Sequence, residues 1–325
     1  MTKKVYSAVK LPQETLDLLE EAGLQVEAFD RLGTPSEEEI LEHIREVEGL
    51  ISGVNVTISP KMIEAASQLK IIANIGAGVN NIALDTAQKN QVQVTRTPGQ
   101  NSVASTAETA LALMLALSRG IVKNQKMVQD NSFKGWQVTG FLGGHQVAYK
   151  KLFIVGFGNI GQELARMAKG LHMDMAYYDP KGPAPFKAIE EETGARFVDF
   201  ERGLREADYV VLQMNYTEDN HHLMGPDQLA QMKEGAYLIN TARGGIVDEK
   251  ALYRALKEGK LAGAALDNHE EEPHINPDLA SLDQVVLTPH IGNDTYEARL
   301  EMAQTAAQDL IRVLEGKEPK YGVEG

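Results

Sequence analysis

The 325-residue chain has no cysteine, which excludes a disulfide scaffold, a thiolate metal site and a cysteine nucleophile together. A chain without thiols is also at ease in a reducing compartment. Aromatic residues are scarce at 6%, with a single Trp, yet 43% of residues are hydrophobic, enough to rule out wholesale disorder. No window approaches the roughly 18 unbroken apolar residues of a membrane span, so no membrane partner is expected. Positive charge is in deficit: 32 Lys and Arg stand against 46 Asp and Glu, a net charge of -14. No basic run interleaved with aromatics occurs, and no nucleic-acid partner is expected. Residues Met1-Thr2-Lys3-Lys4-Val5 pass straight into a short strand rather than an apolar leader, which makes a cytoplasmic location the expectation.

What is present is alternation. Residues 5–9 read as a strand, and Pro12 opens a helix to about Glu21 with Gly23 as its stop. A short strand near Val26 precedes a helix whose N-cap is Ser36. Strand 49–51, a helix after Pro60 and the apolar run 69–74 complete the series. Val/Ile runs that do not alternate, separated by amphipathic helices, predict a parallel sheet covered on both faces. Pro98-Gly99 breaks the pattern, and residues 106–117 are then apolar on nearly every side, as suits a core helix, a hinge or a subunit contact. From Lys150 a second series supplies strands at 152–155, 175–178, 196–198, 209–212, 236–240, 263–266 and 285–287. Residues 295–315 form one long amphipathic helix that is expected to return to the first domain. At roughly 150 residues per domain, the length fits two α/β domains.

Residues 155–161, VGFGNIG, place G-x-G-x-x-G after a strand and at the mouth of a helix, the context this motif requires. Gly156 permits the tight turn, Gly158 lets a pyrophosphate approach the backbone, and Gly161 lets helix and strand pack closely. Asn159 and Ile160 lie in the turn as candidate cofactor-binding residues, and the helix 162–169 that the turn opens faces its N-terminus to the anion. Asp179 follows the next strand, where a carboxylate accepts from ribose hydroxyls and repels a 2′-phosphate. The bland alternative is a glycine-rich turn holding no nucleotide. With the Asp in place, the motif predicts a dinucleotide domain that prefers NAD over NADP.

Three more segments follow strand ends, where parallel sheets deliver their chemistry. They are Thr241-Ala242-Arg243-Gly244-Gly245, Asp267 through Pro273, and Thr288-Pro289-His290-Ile291-Gly292. An Arg offers a planar fork to a substrate carboxylate, and a His beside a carboxylate can donate a proton near neutral pH. TARGG at 241–245, Glu-Pro at 272–273, TPHIG at 288–292 and VGFGNIG together resemble the D-isomer-specific 2-hydroxyacid dehydrogenases over nearly the whole chain.

The resemblance implies a Rossmann NAD-binding domain, residues 100–292, inserted into a flavodoxin-like substrate domain, residues 1–99 and 293–325. It implies a homodimer, for which the 106–117 helix is the candidate contact. It makes Arg243 the group that binds the substrate carboxylate and polarises the 2-oxo group, His290 the general acid, and Glu272 the partner that holds His290 charged. Asp267 would meet the nicotinamide carboxamide, while Thr106, Asn215, Thr241, Ala242 and Gly292 would line the cofactor. Ala77 and Gly78, in the loop 74–82, would offer backbone N–H groups to the substrate carboxylate, a nest-like geometry, with Ser102 nearby. The chain departs from the family pattern at Tyr149 and Phe153, where Gly is usual, at Asn215, where Pro is frequent, and at Asn80 and Ala83, where Asp is usual.

A metal is not expected. Adjacent His221 and His222 should point in different directions, and Pro273 interrupts the cluster around His269 and His274. The rival from another class is a dinucleotide-sensing corepressor, which would need the cofactor loop but no acid–Arg pair. As to substrate, neutral Asn74 stands where relatives acting on phosphohydroxypyruvate carry Arg. Asn74, the segment 102–108 and Phe141-Leu142-Gly143 instead resemble the glyoxylate and hydroxypyruvate reductase branch. The runner-up is a D-lactate or broader D-2-hydroxyacid dehydrogenase, because Val54 and Val79 could admit an aliphatic tail.

Overall fold

The computed structural model describes residues 2–31, 33–136, 138–139 and 143–323. Phe141 and Leu142 of the branch signature lie outside the described residues. The chain divides into two compact units, Met1–Ser102 with Thr295–Gly325, and Val103–Asp294.

The first unit is built on five parallel strands, β1 (Lys4–Ser7), β2 (Gln25–Ala28), β3 (Gly49–Gly53), β4 (Ile71–Ile75) and β5 (Gln93–Thr95), in the order β2-β1-β3-β4-β5. This is the flavodoxin-like order, with its switch point between β1 and β3, and ligands of such sheets sit past the carboxyl ends of the strands. The strands are short and apolar because both faces are covered. On one face Val5, Ile51, Ile71 and Ala73 pack with Leu19 and with Ala303, Ala306, Ala307 and Leu310 of the helix Tyr296–Leu314. Small residues on that helix allow a close approach: a Cβ on Gly49 would lie 2.9 Å from Leu310 Cδ1. On the other face Leu50 and Ile72 pack with Ile40, Ile44, Met62 and Ile63. The helix Glu37–Ile44 starts on a full capping box: Glu39 N–H donates to Ser36 Oγ at 3.2 Å, and Ser36 N–H to Glu39 Oε2 at 2.9 Å.

The second unit carries seven parallel strands, β6 (Lys151–Val155), β7 (Asp174–Tyr178), β8 (Arg196–Phe197), β9 (Tyr209–Leu212), β10 (Ala236–Asn240), β11 (Leu261–Leu266) and β12 (Val285–Leu287). Their order, β12-β11-β10-β9-β6-β7-β8, is that of a Rossmann sheet extended by one strand, with its switch point between β6 and β9. Ala107, Ala110, Leu113 and Met114 of the helix Gln100–Arg119 are buried with Leu152, Ile154, Val211 and Ile239. Of the three roles open to this helix, the structure shows the core role. Gly120, at φ 59°, ends it and begins Ile121–Gln129, where Ile121, Val122 and Val128 are exposed. No single helix among the described residues is long and apolar enough to cross a membrane.

Two of the departures find a local account here. Tyr149 adopts φ 63°, the left-handed conformation that favours glycine, and its ring stacks on His172 at 5.9 Å. Phe153, fully buried in β6, is accommodated by Gly203 in the helix Phe200–Glu206, where a Cβ would lie 2.2 Å from the ring. Gly203→Ala should therefore destabilise the protein. Overpacking costs about 1–3 kcal/mol, against the roughly 1 kcal/mol of helix propensity that Ala gains over Gly. Urea unfolding should show a net loss for Gly203→Ala that is recovered in combination with Phe153→Leu; an alanine variant as stable as the parent would contradict this packing.

Candidate active site

The turn after β6 has the conformation its glycines permit. Gly156 sits at φ 94°, and a Cβ on it would lie 2.7 Å from the backbone of Gln213 and Met214. A Cβ on Gly161 would meet Gly156 O at 2.3 Å, so helix and strand are as close as glycine allows. Gly158 faces open space: a Cβ there would meet nothing within 4 Å. It caps the helix Asn159–Gly170 with no side-chain hydrogen bond, and the first-turn N–H groups, Asn159 and Ile160 among them, have no intrahelical acceptor. A helix N-terminus with open space before it fits a pyrophosphate.

Asp179, at the end of β7, accepts from Phe157 N–H at 3.0 Å through Oδ2 and from Lys181 N–H at 3.0 Å through Oδ1. Each oxygen keeps a second lone pair, so the carboxylate that braces the turn can still accept from a ribose. Gln213, past the end of β9, donates Nε2 to Thr241 Oγ1 at 2.7 Å, while its buried Oε1 has no partner. An orphaned acceptor beside the turn is consistent with a nucleotide donor there. Asn215 follows, exposed, its carbonyl accepting from Asn220 Nδ2 at 2.7 Å.

The residues singled out after β10, β11 and β12 are drawn into one hydrogen-bonded group. Buried Asn240 fixes the first loop: Ala242 N–H donates to its Oδ1 at 3.0 Å, and its Nδ2 donates to Arg243 O at 2.9 Å. Arg243 keeps solvent-accessible surface and donates one N–H to Ala242 O at 2.7 Å. Desolvation draws its guanidinium below the usual arginine range, and the charge of Glu272 works the other way. Glu272 receives His269 N–H on Oε1 at 3.0 Å and faces His290 Nδ1 with Oε2 at 2.9 Å. Burial alone would raise the Glu272 carboxyl, but these hydrogen bonds outweigh it and hold the group below the ordinary carboxylate value. His290 and Glu272 are about a third exposed, at 36% and 37%. With Nδ1 engaged, His290 has Nε2 left to offer outward.

Asp267 has a part that sequence reasoning does not assign to it. It is 1% exposed, and its carboxylate accepts from Thr288 Oγ1 at 2.6 Å, Ile291 N–H at 2.8 Å and Gly292 N–H at 2.7 Å. The turn it holds carries His290 at φ 56°, a conformation that costs a non-glycine residue about 1 kcal/mol or more. Gly292 is pinned from the other side, its carbonyl accepting from Ser105 Oγ at 3.0 Å and Thr109 Oγ1 at 3.3 Å. A Cβ on Gly292 would lie 3.4 Å from Thr106 Cγ2, which puts Thr106 beside it. Ser105, Thr109, His269 and Asn240 are the positioning residues that sequence reasoning missed; only their proximity to the strand-end motifs could have flagged them.

Ala77 and Gly78 belong to the first unit, in the loop after β4. Gly76 N–H donates to Thr97 Oγ1 at 2.8 Å, and buried Asn74 donates Nδ2 to Gly78 O at 2.8 Å. Asn81 ties the same loop to Gly53 O and Val56 O at 3.0 and 2.8 Å. The N–H groups of Ala77 and Gly78 have no acceptor among the described residues, and Ala77 is exposed. Ser102 closes this unit in the helix Gln100–Arg119.

One expectation is corrected. His221 and His222 do not point apart: their rings stack at 3.9 Å with 22° between planes, because His222 takes φ 52° and turns both side chains to one side. In the second cluster His269 is buried with its Nε2 committed to Thr288 O at 2.9 Å, whereas Glu270 lies with His221 and His222.

A glycine turn open to a pyrophosphate, a carboxylate placed where a ribose could meet it, and an Arg in the field of a His–carboxylate pair suit an NAD-dependent oxidoreductase. Comparison with known proteins makes the class specific. Residues 111–292 match the model of the D-isomer specific 2-hydroxyacid dehydrogenase NAD binding domain. A protein of Staphylococcus haemolyticus named as a candidate 2-hydroxyacid dehydrogenase is 41% identical over 98% of both chains. Among solved structures, a Thermus thermophilus protein superposes with a TM-score of 0.92 at 36% identity, covering 99% of this chain and 100% of that one. A glyoxylate reductase from Paecilomyes thermophila gives 0.85 at 28% identity over 99% and 98% of the two chains. A D-lactate dehydrogenase from Treponema pallidum gives 0.83 at 26% over 100% of each. The chain belongs to the D-isomer-specific 2-hydroxyacid dehydrogenase family, and its cofactor is NAD.

The Asp267 clamp can be tested apart from catalysis. Asp267→Asn keeps the shape but sets an amide donor against one of the buried N–H groups, which should cost about 1–3 kcal/mol of stability. Equal urea midpoints for Asp267→Asn and the parent would show that the turn does not depend on the carboxylate.

Proposed function

We propose that the protein reduces small 2-oxo acids with an uncharged tail, glyoxylate or hydroxypyruvate foremost, to the hydroxy acid of D configuration where the product is chiral. The observation that carries this reading is the 2.9 Å contact between Glu272 and His290, with Arg243 feeling the charge of Glu272. Arg243 would take the substrate carboxylate in a planar fork and polarise the 2-oxo group. NADH, when bound in the Gly156–Gly161 turn, supplies the hydride. His290 Nε2 would donate the proton to the carbonyl oxygen as it becomes a hydroxyl, and Glu272 would stabilise the imidazolium until then. In the first unit, read as the substrate domain, the N–H groups of Ala77 and Gly78 lie in a nest-like loop that suits a carboxylate. Asp179 supports NADH over NADPH.

The substrate preference rests on Asn74. It is fully buried and its amide is spent on Gly78 O, so this loop offers no cation to a phosphorylated tail. The D-lactate reading is favoured by Val54, which is 46% exposed and whose Cγ1 would lie 2.2 Å from a Cβ on Gly76, beside the same loop. We further read the chain as a cytoplasmic homodimer. The contact is better placed on the exposed Val128, Phe133 and Trp136 than on residues 106–117, whose inner face is core.

His290→Asn should lower kcat for reduction by about 10²–10⁴, the range of a general acid. Glu272→Gln should move the alkaline limb of the pH–rate profile to lower pH, because it removes the negative charge that favours the protonated imidazole. An Asn variant with parental turnover, or an unmoved limb, would dismiss the pair.

The substrate is decided by kcat/KM at 340 nm for glyoxylate, hydroxypyruvate, pyruvate, 2-oxoisocaproate and phosphohydroxypyruvate, each with NADH and NADPH. Glyoxylate or hydroxypyruvate with NADH should lead. One methylene is worth only about 1–3 kcal/mol in an apolar pocket, so pyruvate should follow within a few decades, and a lead by the branched or phosphorylated acid would refute the assignment.

A further inference from the structure

Outside the acid pair, three side chains that this chemistry does not use meet in the second unit. His221 and His222 follow the turn Glu218–Asn220, and the left-handed backbone at His222 is what brings neighbouring imidazoles together; in an extended segment they would face opposite ways. His222 Nε2 lies 2.7 Å from Glu270 Oε1. One ligand atom from each of His221, His222 and Glu270 falls within 4.8 Å of the other two.

The backbone on both sides is fixed independently of these contacts. His222 N–H donates to Gly245 O at 2.8 Å, Met224 N–H to Ile246 O at 2.9 Å, and Glu270 N–H to Glu249 Oε1 at 3.0 Å. Tyr216 Oη stands 3.3 Å from His221 Nδ1, an orienting contact that leaves Nε2 for a ligand. A Cβ on Gly245 would press on Tyr216 at 2.9 Å and on His221 at 3.4 Å, so glycine there keeps room for both rings. An ion pair between His222 and Glu270 would account for those two residues. It leaves the His221 ring held, among the described residues, only by its 3.3 Å contact with Tyr216 and its stack on His222.

We propose that His221, His222 and Glu270 form a binding site for a zinc ion. Two neutral imidazoles and one carboxylate are a three-residue zinc donor set whose fourth position is left to water. Magnesium and calcium want oxygen ligands and would not select it. The ion would tie the 221–224 turn to the loop that carries Glu270 and, two residues on, Glu272. The site needs neither the substrate assignment nor the proton route given above.

The test uses the full chain without a histidine tag, cleared of metal with a chelator and titrated with zinc sulfate by calorimetry. About one zinc per chain should bind. His221→Ala and Glu270→Gln should each weaken binding by at least about tenfold, as losing a ligand requires. His221→Ala should also melt with the metal-free parent, since His221 is exposed and its loss leaves the fold alone. His290→Asn, which breaks the other histidine–carboxylate pair, should bind as the parent does. Parental affinity in His221→Ala, loss of binding in His290→Asn, displacement by millimolar magnesium, or no binding at all would each overturn the proposal.

Discussion

The geometry of the candidate active site hangs on one buried carboxylate. Asp267 leaves the end of β11 with almost no exposed surface and accepts two successive N–H groups and a hydroxyl from the segment after β12. A buried anion is costly unless such donors surround it. Once it has them, the arrangement is stiff, because moving the turn would uncover the charge. That stiffness can hold His290 in the left-handed backbone region, a position it would not take by preference. The direction of the imidazole, and hence its meeting with Glu272, follows from a residue that touches neither side chain in any contact described.

The same economy of position appears in Asp179. Its oxygens already brace Phe157 N–H and Lys181 N–H, so the group that would recognise a ribose also sets the shape of the phosphate turn. A substitution there would disturb the turn and the recognition together. Both carboxylates stand where strands of a parallel sheet end, and both stabilise backbone that has left the sheet and lost its ladder partners.

Much of this was legible in the sequence. Non-alternating Val/Ile runs between amphipathic helices predict covered parallel sheets, and the observed orders, with a switch point in each, are what that pattern forms. Gly156 and Gly161 were readable because each answers a separate steric demand that its Cβ contacts show, while at Gly158 a Cβ would meet only open space. Ser105, Thr109 and His269 were not readable. A serine or threonine in a helix hydrogen-bonds wherever an acceptor happens to lie, and only the folded chain shows that the acceptor is Gly292 O. The helix 106–117 was ambiguous for a related reason: an all-round apolar surface states that burial occurs, not what supplies it.

Backbone conformation explains the remaining difference. The expectation that His221 and His222 diverge assumes an ordinary backbone, and a single residue at φ 52° reverses it. Tyr149 at φ 63° shows the same freedom in a second place, in a conformation that favours glycine. In that case stacking on His172 and a hydrogen bond from Tyr149 N–H to His172 O, 3.0 Å, hold the strained residue. Left-handed non-glycine residues are invisible to periodicity, because they arise where surrounding contacts outweigh a local preference of about 1–3 kcal/mol. His222 and His290 are both of this kind, and each ends with its imidazole against a glutamate. Strain of this size persists where the neighbouring structure fixes the residue, and in this chain it is the glutamate-bearing loop of residues 267–273 that both histidines meet.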